Sequence, residues 1–363
     1  MRLELQKRNA PSKRMALLSP VMAIILTLIT GAIMFKLLGF DASKALFVYF
    51  VEPLLDSWSL QELVVKASPL ILIAVGLTIC YRSNNWNIGA EGQFTIGAIC
   101  GSILPIMFPE WQNYAVFPIM LAMGALGGAL FAYIPALLKN RFATNEILTS
   151  LMLTYVGLLL LDYLVRGPWK DPEGYNFPES RLFHDYALAP SIIEGGRMHI
   201  GAIFALVAAI VVFILFIRTL KGFEIKVIGE TPRAGNFAGF SQQKMTIFAF
   251  LVSGALTGLA GILEVSGPIG QLRPTISPGY GFTAIIVAFL GRLNPIGAVF
   301  AGLLLALSYL GGEAAQVDLG VSEKTAKAFQ GILLFYVLAC DTLINYRIRV
   351  IWTKKNAQIK EAA

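Results

Sequence analysis

Three asparagines, a glutamate and a glutamine crowd into NNWNIGAEGQFTIGA, Asn84–Ala98, where an apolar run begins. A carboxylate inside a hydrocarbon-length segment is expensive to keep and marks function by default. At helical spacing Asn87, Glu91 and Thr95 share one face, with Gln93 on another. A second polar stripe follows in NEILTSLMLTY, where Glu146, Ser150 and Thr154 line up with Asn145 and Thr149 beside them. Two polar-faced helices bordering a shared cavity would bind a small, hydrogen-bonding solute. That makes Asn87, Glu91, Gln93, Asn145, Thr149 and Thr154 the pathway candidates. The competing role is structural: Glu91 and Gln93 would satisfy the backbone of a broken helix start or pair with neighbouring helices.

Other chemistry lacks its residues. The chain has two histidines, His184 and His199, flanking one polar loop, too few for a histidine-based metal or catalytic centre. Cys80, Cys100 and Cys340 stand in apolar segments without a CxxC or CxxH partner and read as small buried hydrophobes. No GK dipeptide occurs, so there is no phosphate-binding P-loop, and neither GxSxG nor HExxH is present. No catalytic residue, metal site or bound cofactor is expected; if the protein pumps, its fuel is handled on another chain.

Composition explains where these residues live. Of 363 residues 56% are hydrophobic and 14% charged, with a mean hydropathy of +0.68. Apolar runs recur at Leu17–Leu38, Leu63–Tyr81, Ile88–Phe108, Ala115–Leu138, Asn145–Val165, Ile200–Ile217, Met245–Val265 and Ala328–Tyr346. Runs of about 20 residues match a bilayer core. Phe282–Leu310, interrupted by GRLNP, is long for one helix and short for two full ones. Read as two segments, it gives ten spans and puts the basic ends MRLELQKR and YRIRVIWTKK on one side, as the positive-inside rule requires. The Phe282–Leu290 piece is then a partial helix. The net charge of +7 is spread through connections rather than gathered on a face, which argues against nucleic acid.

The expectation is an all-α polytopic membrane protein of about ten helices, some broken, forming one membrane domain over 17–346. Residues 1–16 and 347–363 are its cytoplasmic tails, 166–199 an outer loop and 218–244 an inner one. The basic start followed by a 22-residue run closed by Lys36–Leu37 reads as an uncleaved anchor. Lys66 lies near an outer end and can snorkel; Glu264 and Asp341 are also near span ends. Ion-coupled transport would suit broken helices equally well, but acids inside the spans are sparse.

The inner connection RTLKGFEIKVIGETPRAGNFAGFSQQK is too long for a tight turn. Thr231-Pro232 begins a short helix within Glu230–Phe240, since proline suits the first helical position. Phe237 and Phe240 would be exposed there, either for a soluble partner or along the bilayer surface.

NIGAEGQFTIGA, NEILTSLMLTY, GFEIKVIGETPRAGNFAGF, SGALTGLAGILEV and SPGYGFTAIIVAFLGRLNPIGAVFAGLL, in this order, resemble the branched-chain amino acid/ribose-type permeases of ABC importers. The similarity is nearest to the nucleoside and simple-sugar subgroup. It implies a type II importer-like permease fold in a bacterial cytoplasmic membrane with both termini inside. It also implies that Arg218–Lys244 carries a coupling helix for a cytoplasmic ABC ATPase, which uses ATP and Mg. Glu230, Pro232, Ala234 and Gly239 match that loop's pattern, and Arg233 and Phe237 lie in the same segment. Further implied partners are an extracytoplasmic substrate-binding protein and a second permease, with a heterodimer favoured over a homodimer. Nucleosides are the expected solutes, ribose, galactose or another sugar the alternative. Thr231, Gly235-Asn236 and Thr154 depart from the residues more usual in the family.

Overall fold

The computed structural model describes residues 2–8, 12–193 and 195–351. They are helical throughout save for one two-stranded ribbon and the connecting loops, and they divide into two compact units.

The larger unit, Glu52–Gly311, holds the site. Its helices are α3 (Ser57–Arg82), α4 (Ala90–Met107), α5 (Val116–Phe142), α6 (Glu146–Arg166) and α7 (Gly201–Arg218). Then come α8 (Leu220–Glu230), α9 (Pro232–Phe237), α10 (Gln242–Glu264), α11 (Tyr280–Leu290) and most of α12 (Pro295–Leu319). The apolar content of α3 is inside the protein, with 83% of its most apolar window buried, whereas α6 buries only 22% of its own. Thus α3 is the core helix, and α6 leaves most of its apolar surface uncovered by the rest of the chain.

Small residues bring α4, α5 and α10 together. A Cβ on Gly97 would stand 2.2 Å from the Gly258 Cα, and one on Gly128 2.3 Å from the Gly254 carbonyl oxygen. The GxxxG pairs Gly97/Gly101, Gly124/Gly128 and Gly254/Gly258 lie in one contact, where backbone approaches backbone at Gly97, Gly128, Gly254 and Gly258 and the Ile262 side chain packs on Gly101 and Gly124.

The interruption at GRLNP behaves as its length requires. α11 stops at Leu290, Arg292 and Leu293 take left-handed φ of 55° and 53°, and Pro295 opens α12. At the other end of α10, Val265–Ile269 forms a wide turn containing Pro268. The loop 166–199 lies against this stretch: the amides of Ser180, Phe183 and Ala189 donate to the carbonyls of Leu272, Gly270 and Ser266 at 2.8–2.9 Å.

The smaller unit, Met1–Val51 with Gly312–Ala363, contains α1 (Lys13–Leu37), α2 (Ala42–Phe50), the end of α12 and α13 (Glu323–Asn345). Phe329 of α13 packs against Phe35 and Tyr49 at 5.5 and 4.6 Å between ring centroids. One feature departs from the sequence expectation of two tails. Arg2–Lys7 (β1) pairs antiparallel with Tyr346–Ile351 (β2), Leu3 opposite Val350 and Leu5 opposite Ile348. Apolar and polar residues alternate in both segments, the period of a strand rather than of a helix. The pairing brings both basic flanks of the chain together.

Among the described residues, seven helices are long and apolar enough to cross a membrane. The apolar part of α1 (Val21–Leu37), the short α11, and α4 with its polar first turn complete the ten expected segments.

Candidate functional site

The stretch between α3 and α4 is unwound. Ser83 closes α3 by donating to the Ile79 and Cys80 carbonyls at 2.9 Å, and Asn84 turns the chain with a left-handed φ of 56°. Backbone that leaves a helix inside a bundle needs partners, and here side chains supply them. The Asn85 amide donates to the Cys80 carbonyl, Trp86 N–H to Glu146 Oε1 (3.4 Å), Ile88 N–H to Ser150 Oγ (3.2 Å) and Gly89 N–H to Asn87 Oδ1 (3.1 Å). The Asn87 carbonyl accepts from the Tyr81 hydroxyl at 2.9 Å.

Asn87 thus precedes α4 instead of sharing its face with Glu91, as ideal helical spacing had placed it. Its amide meets the Gln93 amide head to tail at 3.0 and 2.9 Å, and also donates to Ser253 Oγ on α10 at 3.2 Å. All three side chains are buried.

Glu91 points the other way, to the start of α11. Gly279, at φ 101°, reverses the chain there, and Ser277 Oγ accepts from the amides of Gly279 and Tyr280 at 3.0 and 2.9 Å. Glu91 Oε2 accepts from the Gly281 amide at 2.6 Å, with Ser277 and the Phe282 amide close to the same carboxylate. Gly281 is needed at this crossing, because a Cβ would stand 2.2 Å from the Glu91 nitrogen. Tyr280 and Phe94 pack edge to face beside it, at 6.2 Å. Two helices therefore begin inside the protein, and their first turns meet at one carboxylate.

The α6 candidates occupy other positions. Asn145 caps α6, accepting from the Ile147 amide at 2.9 Å, and Thr149 donates back to the Asn145 carbonyl at 3.1 Å. Thr154 is buried in the contact between α6 and α4, where a Cβ on Gly92 would lie 2.7 Å from its Cα. Asn87, Glu91 and Gln93 are brought together around the start of α4; Asn145, Thr149 and Thr154 are spread along α6.

Sequence reading missed a polar cluster below that start. Lys139, in the last turn of α5, donates to Glu146 Oε1 at 2.6 Å and to Asn85 Oδ1 at 2.9 Å, and the Thr246 hydroxyl reaches the same Asn85 oxygen at 2.9 Å. It also missed Tyr81, Ser253 and Ser277. The available signal was Thr246 and Ser253 seven residues apart, on one face of α10.

On the face that carries α8 and α9, the connection 218–244 is helical. Thr219 caps α8, and α8's last turn rests on the end of α3, so that a Cβ on Gly229 would meet the Arg82 carbonyl at 1.8 Å. A cavity of about 370 Å³ at this root is lined by Arg82, Phe216, Phe223, Lys226 and Glu230, the Arg82 guanidinium lying 4.4 Å over the Phe216 ring. Pro232 stands at the first turn of α9, and Gly239, at φ 83°, ends it. Gly235 is buried, whereas Glu230, Arg233, Ala234 and Phe237 are exposed, Phe237 at 95%. Phe240 is instead partly covered, edge-on to Phe223 at 6.0 Å.

A polytopic bundle with two helices that begin within it, and with short helices presented on one face, is the architecture of a membrane transport protein. The chain belongs to the family described as branched-chain amino acid transport system / permease component, which it matches over residues 59–338. It is a multi-pass ABC transporter permease. It is 33% identical to a glucose ABC transporter permease of Haloferax volcanii, covering 97% of this chain and 95% of that one. It is 27% identical to a nucleoside ABC transporter permease of Lactococcus lactis subsp. cremoris, over 90% of this chain and 92% of that one. With a guanosine ABC transporter permease of Bacillus subtilis it shares 28% identity, over 93% and 96%.

Proposed function

We propose that this chain is the permease subunit of an ATP-driven importer that carries neutral nucleosides into the cytoplasm. The path runs past the start of α4, where the uncharged Asn87, Gln93 and Ser253, bonded to one another, stand near Glu91. A cytoplasmic ABC ATPase engages the segment from the end of α8 through α9, by Glu230, Pro232, Arg233, Ala234, Phe237 and Gly239. An extracytoplasmic binding protein delivers solute to the opposite face, and a second permease subunit completes the pore. Both termini then lie in the cytoplasm, and ATP and Mg act on the ATPase.

The observation that carries the reading is the meeting of α4 and α11 within the protein, with their polar groups paired by side chains. At the opposite end of α11, Tyr81 and Phe289 stack at 5.0 Å and 17°, with Trp86 at 24° to Phe289 and 41° to Tyr81. Nucleoside is set ahead of sugar because two relatives matched over nine-tenths or more of their length are named for nucleoside and guanosine transport. The glucose permease relative, at 33% identity, favours a simple sugar as the second reading.

Uptake of labelled adenosine by proteoliposomes holding the whole complex, challenged with guanosine, ribose, glucose and leucine, tests this. Guanosine should compete and the other three should not; competition by glucose with no response to guanosine would establish the sugar reading instead. The purified chain alone should accumulate nothing under an imposed proton or sodium gradient. Accumulation there would replace the ATP-driven reading with an ion-coupled one.

A further inference from the structure

Helix N-termini carry partial positive charge and unpaired amides, and they attract anions. α4 and α11, of 18 and 11 residues, both begin inside the larger unit, and their first turns are in contact. Two such termini at one point would form a strong receptor for a carboxylate or phosphate. The receptor is already filled. Glu91 belongs to the first turn of α4 and accepts from the first turn of α11 at Gly281, with Ser277 and the Phe282 amide around the same carboxylate. It is only 3% exposed, and among the described residues no lysine, arginine or histidine forms a salt bridge with it. The positive potential that these contacts bring to the carboxylate is that of the two helix ends.

We infer that Glu91 is a built-in anion: it occupies from within the protein the position that the paired helix starts would otherwise offer to an anionic group of a solute. A pathway built this way takes solutes without a carboxylate or phosphate and turns away nucleotides and free amino acids. That consequence rests on the reading of this junction as part of the path; the occupancy itself does not.

The two can be tested apart. Thermal unfolding of the full purified chain in detergent should give a lower Tm for Glu91→Ala than for wild type. Acetate at tens of millimolar should recover several degrees of that loss, and acetamide, its uncharged analogue, should recover none. Wild type should respond alike to both. Glu91→Gln keeps the shape and one acceptor for Gly281 but lacks the charge, so its Tm should also fall while acetate leaves it unmoved. Equal responses to acetate and acetamide in Glu91→Ala would overturn the inference. Should that variant not fold, an unchanged Tm in Glu91→Gln would do the same. Failure of the whole complex to take up any nucleoside or sugar would defeat the transport reading while leaving the acetate result to judge the occupancy.

Discussion

The side-chain amides of Asn87 and Gln93 bind each other head to tail, at 3.0 and 2.9 Å, across six residues that are not one continuous helix. The geometry exists because α4 begins only at Ala90, so the chain folds back over its own first turn. Both amides are buried; truncating Asn87 leaves Gln93's donor and acceptor dry, and truncating Gln93 leaves Asn87 with only its bonds to Ser253 and Gly89. Asn87→Ala and Gln93→Ala should each cost about 1–3 kcal/mol. The double variant should cost clearly less than their sum, since it removes both orphaned groups. Unfolding of the four proteins in detergent closes the cycle, and strict additivity would mean that the pair is not a coupled unit.

Lys139 holds the loop before α4 by two bonds, to Glu146 and to Asn85. The ion pair is only partly shielded, with 21% and 13% of the two side chains exposed, so its Coulombic share is discounted for screening. The larger effect of Lys139→Met is to remove the charged donor from both oxygens, leaving Glu146 Oε1 with the long Trp86 bond and Asn85 Oδ1 with Thr246, for about 1–3 kcal/mol. Added salt should recover little of this loss, because a missing hydrogen-bond donor is not a screening effect. A melting temperature that falls in low salt and returns in high salt would contradict it.

Ten segments, the broken stretch at GRLNP and the start of α9 at Pro232 are legible in the sequence because each is a local signal. Apolar length, a breaker and a proline at a first turn act over a few residues. The polar groups of the site are legible only as misplaced polarity. What Glu91 binds lies 190 residues away at Gly281, and no local pattern carries that pairing. Helical spacing also misleads at Asn87, because an unwound start has no periodicity to extrapolate. Lys139 reads as an ordinary basic residue ending a span, a frequent companion of helix C-termini, and only the fold turns it inward. β1 and β2 were written in alternating residues, yet beside strong membrane runs two six-residue flanks read as tails.

Phe237 is 95% exposed on α9 and contributes little to the fold. Phe237→Ala should change unfolding by no more than about 0.5 kcal/mol. If α9 is where the ATPase docks, the same variant should lower ATP-driven uptake at least tenfold, a loss of roughly 1.4 kcal/mol in the coupling contact. Phe240→Ala should do the reverse, because Phe240 packs against Phe223 at the root of the element: lower stability, with coupling lost only in proportion to folded protein. Uptake measured per folded complex separates the two, and full uptake by Phe237→Ala would remove α9 from the docking proposal.

His199, just before α7 and outside the spans, is 4% exposed and accepts from the Gly201 amide through Nδ1 at 3.2 Å. Burial lowers its pKa from 6.5 to about 4, so the folded protein keeps it neutral. Between those values the unfolded chain takes up a proton that the folded chain refuses. This group's contribution is therefore fully present above about pH 6.5 and is lost as the pH falls toward 4, by as much as about 3 kcal/mol. His199→Gln cannot take up that proton, so its unfolding temperature should fall less steeply than wild type between pH 6.5 and 4, whatever offset it carries at neutral pH. Parallel curves for the two proteins across that range would mean that His199 is protonated in the folded state.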